Sequence, residues 1–445
     1  MSGFMKIGGR VENNTAKGIN VDYSGNLIVS PNRIPRIGFD YASNLVEKRK
    51  AIKDKYIESE TPVGESYLNW QTTSRGAISQ DIENKENGEY SIRFAANTTD
   101  AYYNPVYNFD TSVDMSDFDH IRFWMYTNDP STITRIWIQF LTDDNNYYYI
   151  NVLNGITNKF GRSELTYSKA VFQSVGSPDW TSITKMRLQI KVSDTNTFID
   201  IQNIKLIKQK PKHGKLVIRI DDGLSSVYDL AMPIMRKYGV VGTCYVLPEY
   251  SKSGQRSTAP SYGGTETMSL EELKYLASLG WTIASHSWMH NFFNADYNGK
   301  YYQAYNDLKA TSNWLFSNGF EERCHVFGNH RRTKETVEAC LDIFTVDNSC
   351  EGSYDNFDTL PWGGDSIVRC DGEIHTAEEI KTIIDTVAER KCLCTLFFHR
   401  FSENPVDTEF STAALEEILI YATHKNDIDI ISMTDLLDCT PVALR

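Results

Sequence analysis

Two short segments of the chain combine residue types that can hold a metal ion. An apolar, β-branched run at 216–220 ends at Asp221 and Asp222, and a later apolar run is followed by His286 and His290. Histidines at this spacing lie on the same side of a helical turn, which suits chelation of one ion. One aspartate and two histidines supply three ligands and leave zinc an open position for water. The two segments therefore predict a site for metal-assisted hydrolysis.

Polar residues also follow other apolar runs in the second half of the chain. Asn329 and His330 follow the fourth run, Arg369 follows the sixth and His399 follows the seventh. In a parallel α/β barrel the carboxyl ends of the strands lie on one face, where such folds bind their ligands. We therefore expect these side chains to lie around the same cleft as the metal site.

Strands and helices alternate from residue 214 to residue 445. Repeated strand–helix units of this kind are typical of a parallel (β/α) barrel. A basic linker at 208–214 contains proline and glycine and predicts a domain boundary in front of the barrel. The predicted strands are 216–220, 242–246, 281–285, 324–328, 343–347, 366–369, 393–398 and 428–433, and the predicted helices are 224–238, 269–279, 300–318, 333–342, 376–390 and 411–424.

Residues 61–209 have a different pattern. Short runs of alternating apolar and polar residues are separated by turn residues, which predicts a β-sandwich of jelly-roll type. The segment 179–204 resembles the closing strands of carbohydrate-binding β-sandwich modules. Several tyrosines here either stack on sugar rings or pack in the core, and the sequence leaves both interpretations open. These tyrosines are Tyr102, Tyr103, Tyr107, Tyr147, Tyr148 and Tyr149.

Residues 1–60 are predicted to form an entry segment. A hairpin is expected at 21–29 and a charged, helix-permissive stretch at 44–59. Such a segment cannot bury much core by itself, so it is either an attachment module or a connecting stalk. The hairpin resembles the leading segments of phage tail proteins. That resemblance implies a virion-associated protein that acts at the cell surface, and an oligomer would then be expected.

The bulk properties exclude several classes of protein. The net charge of -13 argues against nucleic acid or an anionic membrane as the main partner. No apolar run is long enough to span a bilayer, and the first residues do not resemble a secretory signal peptide. We therefore expect the protein to stay in the cytoplasm or to leave by another route, such as in a virion. All 8 cysteines lie from Cys244 onward and are expected to be buried free thiols.

Three motifs together resemble those of the polysaccharide deacetylases, carbohydrate esterase family four, also called the NodB-homology domain. They are IDDG at 220–223, HSWMH at 286–290 and LFFH at 396–399. The resemblance covers residues 214–438. It implies a distorted (β/α) barrel and metal-dependent removal of acetyl groups from amino sugars in a polysaccharide or cell-wall glycan.

Carried over position by position, the resemblance assigns roles to residues of the site. Asp222, His286 and His290 would bind Zn2+ or another divalent transition metal. Asp221 would be the general base and His399 the general acid. A carboxylate beside an activated water can take its proton, and an imidazole can protonate the leaving nitrogen.

The chain departs from the family pattern after the fourth strand. The family has an arginine–proline–tyrosine clause there, whereas residues 325–331 of this chain are HVFGNHR. The arginine that orients the base is therefore absent from its usual place, and Arg331 or Arg369 is the candidate replacement. The predicted substrate-binding residues are Asn329, His330, Trp362 and Arg369.

Two alternatives to deacetylation of amino sugars remain open. The same ion and base would serve an O-acetyl esterase that acts on a capsule or wall glycan. The missing arginine also allows a non-catalytic glycan-binding protein, for example a phage receptor-binding protein, with a vestigial deacetylase barrel. The leading interpretation is a glycan deacetylase in which the β-sandwich holds the polymer.

Overall fold

A computed structural model describes residues 55–157, 161–259, 264–347, 367–372 and 374–438 of the chain. Of the predicted entry segment 1–60, residues 1–54 lie outside the described residues, as does Trp362, whereas Ile57–Pro62 form a strand of the sandwich. The described residues form an antiparallel β-sandwich followed by a parallel sheet with helices packed against it.

The sandwich consists, in the described residues, of two antiparallel sheets with six strands each. One sheet has the strand order β3-β4-β12-β6-β9 with β1 beside β12, and the other has the order β10-β8-β7-β11-β5-β2. A short helix, α1 (Leu153–Thr157), follows β8. The strands are β1 (Ile57–Pro62), β2 (Trp70–Gln71), β3 (Gly76–Asp81), β4 (Ser91–Ala96), β5 (Val106–Val113), β6 (His120–Thr127), β7 (Ile133–Asp143), β8 (Asn146–Asn151), β9 (Arg162–Ser168), β10 (Gln173–Val175), β11 (Ile183–Val192) and β12 (Phe198–Gln209).

Alternation of apolar and polar residues explains why the two sheets pack face to face. In β11 the side chains of Met186, Leu188 and Ile190 are buried in a core shared by both sheets. The residues between them point to the other face, because successive side chains of a strand alternate. Three of the tyrosines in question belong to the core: Tyr103 and Tyr107 are buried, and Tyr148 stacks on Trp180 with ring centroids 4.0 Å apart. For these three the core-packing alternative is correct.

The second part contains all eight predicted barrel strands in one parallel sheet. Its order is β19-β18-β17-β14-β13-β21-β20, and β24 also pairs with β13. Among the described residues, β19 and β20 form the two ends of this sheet. The strands are β13 (Gly214–Ile220), β14 (Thr243–Val246), β17 (Thr282–Ser285), β18 (Cys324–His325), β19 (Val346–Asp347), β20 (Ile367–Arg369), β21 (Leu393–Phe398) and β24 (Ile428–Ile431). Two small two-stranded pairs lie outside it. β15 (Ser257–Ala259) pairs antiparallel with β16 (Thr265–Thr267), and β22 (Arg400–Ser402) pairs in parallel with β23 (Glu409–Ser411).

Helices follow most of the strands, as the sequence pattern predicted. Several begin with a capping box, in which a Ser or Thr side chain accepts from the backbone three residues later; Ser269 with Glu272 and Thr376 with Glu379 are two of them. The helices are α2 (Met232–Lys237), which continues a π-helical turn at Val227–Ala231, α3 (Pro248–Ser251), α4 (Leu270–Ser278), α5 (Phe293–Asp296), α6 (Tyr301–Ser317), α7 (Lys334–Leu341), α8 (Ala377–Arg390), α9 (Thr412–Thr423) and α10 (Met433–Asp438).

The central strand β13 is buried on both faces, which is why its sequence is almost wholly apolar. Leu216, Ile218 and Ile220 pack against the helices, whereas Val217 packs on the opposite face with residues of neighbouring strands. Arg219 shares the face of Val217 and is fully buried. Asp221, two residues further, therefore continues the interior face of the sheet.

Two further expectations concern burial and membranes. The six cysteines among the described residues are buried, as predicted. No helix in the described parts of the chain combines the length and the apolar character that crossing a membrane requires.

Candidate metal centre

Asp222, His286 and His290 converge at the carboxyl ends of β13 and β17. One ligand atom from each lies within 4.8 Å of the others, and all three residues are buried. The Nε2 atom of His286 is 3.2 Å from Oδ1 of Asp222, and the Nε2 atom of His290 is 3.6 Å from the same oxygen. The structure thus brings together the three residues that the sequence predicted as ligands.

The donor set fits a divalent cation. Both oxygens of the Asp222 carboxylate are buried without a hydrogen-bond donor of good geometry among the described residues. A buried carboxylate in this situation is costly unless a cation compensates it. Two imidazoles and one carboxylate make three protein ligands. An open zinc site has three protein ligands of these types and leaves its fourth position to water.

The orientation of His286 leaves one ring nitrogen for the cation. Its Nδ1 donates to the backbone carbonyl of Val326 at 2.9 Å, so in the neutral ring Nε2 carries the lone pair, and this atom faces Asp222. A hydrogen bond from the far nitrogen fixes the tautomer and the ring orientation of a ligating histidine. Val326 follows β18, and this neighbouring strand therefore sets the direction of the ligand.

The charges of the site favour a cation. Burial lowers the pKa of His286, but the charge of Asp221 and the contact with Asp222 outweigh it and raise the pKa above its ordinary value. Burial and the charge of His286 lower the pKa of His290 to about 4, so this ring is neutral near pH 7 and can act as a ligand. Burial also raises the pKa of Asp222, but the contact with His286 and the charges of His399 and His290 leave it lower than usual. Asp222 is therefore ionised.

A turn, and not a helix, places the two histidines side by side. The predicted helical turn is wrong, because Ser287 and His290 have positive φ angles of 70° and 66°. The ring centroids of His286 and His290 are nevertheless 5.0 Å apart. Gly328 makes room for this turn, since a Cβ atom there would lie 3.3 Å from Nε2 of His290.

Unusual backbone conformations are concentrated around this site. Nine non-glycine residues among those described have positive φ angles, and five of them lie in the three chain segments that surround the site. Such conformations cost free energy and persist where the surrounding structure enforces them, often at functional sites. The five are Asp222, Ser287, His290, Asn329 and His330.

Arg219 holds the carboxylate of Asp221, the residue next to the ligand Asp222. Its Nε donates to Oδ1 of Asp221 at 2.8 Å, and its second terminal nitrogen donates to Oδ2 at 2.5 Å. The side chains of both residues are at most 2% exposed. The guanidinium carbon lies 4.5 Å from the centroid of the Phe397 ring and 5.2 Å from that of Tyr245. A bidentate fork between two rings fixes the carboxylate in one orientation.

Arg219 thus occupies the role for which the sequence suggested Arg331 or Arg369, and that suggestion is wrong for both. Arg369 pairs with Asp371, and the guanidinium of Arg331 lies 6.0 Å from the centroid of the Phe292 ring. One signal for Arg219 was present in the sequence. A charged residue inside an apolar, fully buried strand is rare unless it is paired, and Asp221 is its neighbour on the same face.

His399 is oriented by a second aspartate that the sequence analysis missed. Its Nδ1 donates to Oδ2 of Asp371, and Oδ1 of Asp371 accepts from Nε of Arg369 at 2.7 Å. Burial lowers the pKa of His399, but the hydrogen bond and charge of Asp371 outweigh it and raise the pKa. The imidazole is therefore protonated at higher pH than an ordinary histidine, and Arg369 acts on it through Asp371.

The remaining predicted substrate-binding residues have different surroundings. Asn329 is exposed, beside the carboxyl end of β18. The ring of His330 lies edge-on to Phe397 with centroids 5.6 Å apart, and burial lowers its pKa well below the ordinary value. His330 is therefore neutral and lies close to the ring that also contacts Arg219 and His399. Trp362 lies outside the described residues.

Comparisons with known proteins concern both parts of the chain. Residues 208–327 match the family model of the polysaccharide deacetylases. Over 133 residues, 29% of this chain, the sequence is 27% identical to YxkH of Bacillus subtilis (strain 168), whose name assigns it to the polysaccharide deacetylases; the match spans 42% of that protein.

Two solved structures are similar to parts of the chain. The Xyl-CE4 domain of a multidomain xylanase from the hindgut metagenome of Trinervitermes trinervoides is 15% identical, with a TM-score of 0.33, over 51% of this chain and 91% of that one. The family 11 carbohydrate-binding module from Clostridium thermocellum is 18% identical, with a TM-score of 0.26, over 33% of this chain and 95% of that one. The sequence matches support a polysaccharide deacetylase domain in the part of the chain that contains Asp221, Asp222, His286 and His290.

Proposed function

We propose that this protein removes acetyl groups from N-acetylated amino sugars of a polysaccharide or cell-wall glycan by metal-assisted hydrolysis. One observation carries the proposal: a buried Asp–His–His ligand set lies beside a carboxylate clamped by arginine and an imidazole held by a second aspartate. This combination contains a cation site, a base and an acid, which are the groups that amide hydrolysis needs. The family match of residues 208–327 agrees with it.

The residues of the cation site would hold the Lewis acid of the proposed reaction. Asp222, His286 and His290 would hold Zn2+ or another divalent transition metal. When bound, such an ion polarises a carbonyl oxygen and makes water more acidic. The buried carboxylate of Asp222, whose oxygens have no hydrogen-bond donor of good geometry among the described residues, is the feature that selects a cation over a neutral ligand.

Asp221 is the proposed general base. Both of its oxygens accept from Arg219, so the carboxylate is fixed in orientation, and each oxygen keeps a lone pair for a proton from the attacking water. Its Oδ2 atom lies 3.9 Å from Nε2 of His286, so the base adjoins the ligand set. A base in this position needs no reorganisation when the water arrives.

His399 is the proposed general acid. Because Nδ1 donates to Asp371, the second ring nitrogen is left to deliver a proton to the departing nitrogen of the amino sugar. The raised pKa keeps the ring protonated to higher pH than an ordinary histidine, as suits a general acid. Asp371 and Arg369 position this imidazole.

The clamp that Arg219 forms on Asp221 removes the main reason for interpreting the chain as a non-catalytic glycan-binding protein. That alternative followed from the missing arginine of the family clause, and Arg219 provides the same fork from the strand that carries the base. An O-acetyl esterase requires the same groups and is distinguished by the substrate that releases acetate.

Acetate release from a panel of polymers tests the proposal. The purified protein, loaded with zinc, is incubated with N-acetylated glucosamine polymers and with O-acetylated xylan. We expect acetate from the N-acetylated polymers and none after substitution Asp221→Asn. Full activity in a metal-free preparation, or acetate from O-acetylated polymers alone, would contradict the proposed reaction.

A further inference from the structure

We propose that the outer face of the second sandwich sheet binds an extended polysaccharide that bears carboxylate groups. We call this surface the arginine–tyrosine face and define it by Arg135, Trp137 and Gln139 of β7, Tyr147 and Tyr149 of β8, and Arg187 of β11. The binding argument is independent of the deacetylase site. Only the further step, that the bound polymer is also the substrate, depends on the proposed function.

The strand register places these side chains in one continuous surface. Arg187 lies opposite Gln139, Gln139 lies opposite Tyr149, and Tyr149 lies opposite Gln173 of β10. Paired residues of neighbouring antiparallel strands point to the same face. The row therefore crosses four adjacent strands, which gives a surface wide enough for several sugar units.

Both arginines are held in place by neutral partners. The guanidinium carbon of Arg135 lies 4.1 Å from the ring centroid of Trp137 and 5.0 Å from that of Tyr102, and a terminal nitrogen donates to Gln189 at 3.0 Å. Arg187 lies 5.1 Å from the ring centroid of Tyr147, and its Nε donates to Gln139 at 2.5 Å. Trp137 stacks on Tyr149 with centroids 4.5 Å apart. Stacking of this kind orders an arginine without neutralising it.

Neither arginine forms a salt bridge with a carboxylate among the described residues. The two lysines of β11 differ in this respect, because Lys185 pairs with Asp144 at 3.1 Å and Lys191 with Asp100 at 3.5 Å. Burial lowers the pKa of Arg187, which indicates a guanidinium withdrawn from water. Each arginine uses one of its five N–H donors in the hydrogen bonds above, and the fork that remains matches a carboxylate.

Gln139 adds an unmet hydrogen-bond donor to the surface. Its side chain is fully buried, its Oε1 accepts from Arg187, and its Nε2 has no acceptor among the described residues. A buried donor without a partner costs free energy that an acceptor would recover. A ligand oxygen or a bridging water that enters beside Arg187 would provide this acceptor.

The spacing of the charges favours a chain with repeated carboxylates over a single small anion. Arg135 is opposite Lys191, which is four residues from Arg187 along β11, so the Cα atoms of the two arginines are roughly 14 Å apart at the rise of a β-strand. A net charge of -13 repels a densely charged polyanion such as nucleic acid. An acidic glycan has a lower charge density, and the exposed ring of Tyr102 and the half-buried rings of Tyr147 and Tyr149 offer apolar surface to its sugars.

Affinity electrophoresis of the full chain tests the proposal with a matched pair of ligands. Polygalacturonate, alginate and hyaluronan are the acidic probes, and fully methyl-esterified polygalacturonate is the neutral control with the same backbone. We expect retardation by at least one acidic probe, at least tenfold weaker binding to the methyl ester, and weaker binding as salt increases. Retardation by none of the acidic probes, equal binding to the methyl ester, or equal binding to single-stranded DNA would overturn the proposal.

Two double variants test whether polysaccharide binding depends on the arginine–tyrosine face. The double variant R135Q/R187Q should lose binding at least tenfold, whereas K185Q/K191Q, which removes lysines that already have acidic partners, should change it less than threefold. Unfolding curves of both variants check that the sandwich remains folded. Activity on a short N-acetylated oligosaccharide should be unchanged in R135Q/R187Q. If the acidic probes bind but no polymer releases acetate, only the proposed function is contradicted. If acetate is released and R135Q/R187Q binds as tightly as the wild type, only the binding role of the arginine–tyrosine face is contradicted.

Discussion

Arg219, near the end of β13, lies two residues before Asp221, and its guanidinium donates to both oxygens of the Asp221 carboxylate. The alternation of side chains along β13 makes this contact possible, because residues two apart share the interior face of the sheet. The proposed base is therefore oriented by its own strand, whereas the family clause would orient it from the loop after β18. Metal binding involves other side chains, so loss of the clamp and loss of the ion are separable.

Arg219→Met should lower kcat on an N-acetylated glycan by about 10²–10³-fold and leave zinc bound, because the base loses its orientation while the ligands remain. Removing one partner of a buried ion pair should also destabilise the protein by about 3–5 kcal/mol. Activity, zinc content and urea unfolding of the purified variant measure the three effects.

The double variant Arg219→Met with Asp221→Asn is the control for stability. It removes both charges, so we expect most of the lost free energy of unfolding to return while activity remains absent. Wild-type kcat in the single variant would show that the clamp does not position the base.

Asp222→Asn and His290→Ala should each abolish stoichiometric zinc, because a ligand set of three does not hold the ion with one member removed. Elemental analysis after dialysis measures the ion. Zinc should raise the midpoint of thermal unfolding of the wild type and not that of either variant, since an ion that binds only the folded state stabilises it. His424→Ala removes an exposed histidine at the end of α9 and serves as the matched control. Zinc retained at full occupancy in Asp222→Asn would exclude the proposed centre.

Asp371→Asn should move the alkaline limb of the pH–kcat profile to lower pH. A general acid is active below its pKa, and the carboxylate of Asp371 is what raises the pKa of His399. Without that charge the imidazole loses its proton earlier as the pH rises, so activity declines earlier. Asp385→Asn, which removes an exposed aspartate paired with Lys425, should leave the profile in place. An unshifted limb in Asp371→Asn would mean that His399 is not the acid.

The sequence predicted the order of the elements well, because periodicity and caps are local. All eight barrel strands and six of the helices lie where hydrophobic patterns and capping residues indicated. The interior role of Arg219 was harder to predict, because a strand buried on both faces has no polar side that would mark its direction. The turn from His286 to His290 was missed for a similar reason, since Ser287 and His290 adopt left-handed conformations that sequence usually signals with glycine.

The tyrosines of the sandwich illustrate the same limit of prediction from sequence. Tyr147, Tyr148 and Tyr149 are consecutive, and β-strand alternation guarantees that the middle one faces away from the other two. Sequence alone does not say which side is the core. The contact between Tyr148 and Trp180 decides it and leaves Tyr147 and Tyr149 on the outer face with the two arginines.

His120, at the start of β6, should make the stability of the sandwich depend on pH. Its side chain is fully buried, neither ring nitrogen has a partner among the described residues, and burial lowers its pKa to about 4. In the unfolded chain the pKa returns to about 6.5, so between these values the unfolded state binds more protons and the free energy of unfolding falls as the pH falls. The stability present above pH 6.5 should decrease by about 3 kcal/mol on approach to pH 4. Urea unfolding at several pH values, with the wild type compared to His120→Phe at each pH, isolates this contribution from that of the other histidines. The difference between the two proteins should change with pH in this range; a constant difference would show that His120 is not the titrating group.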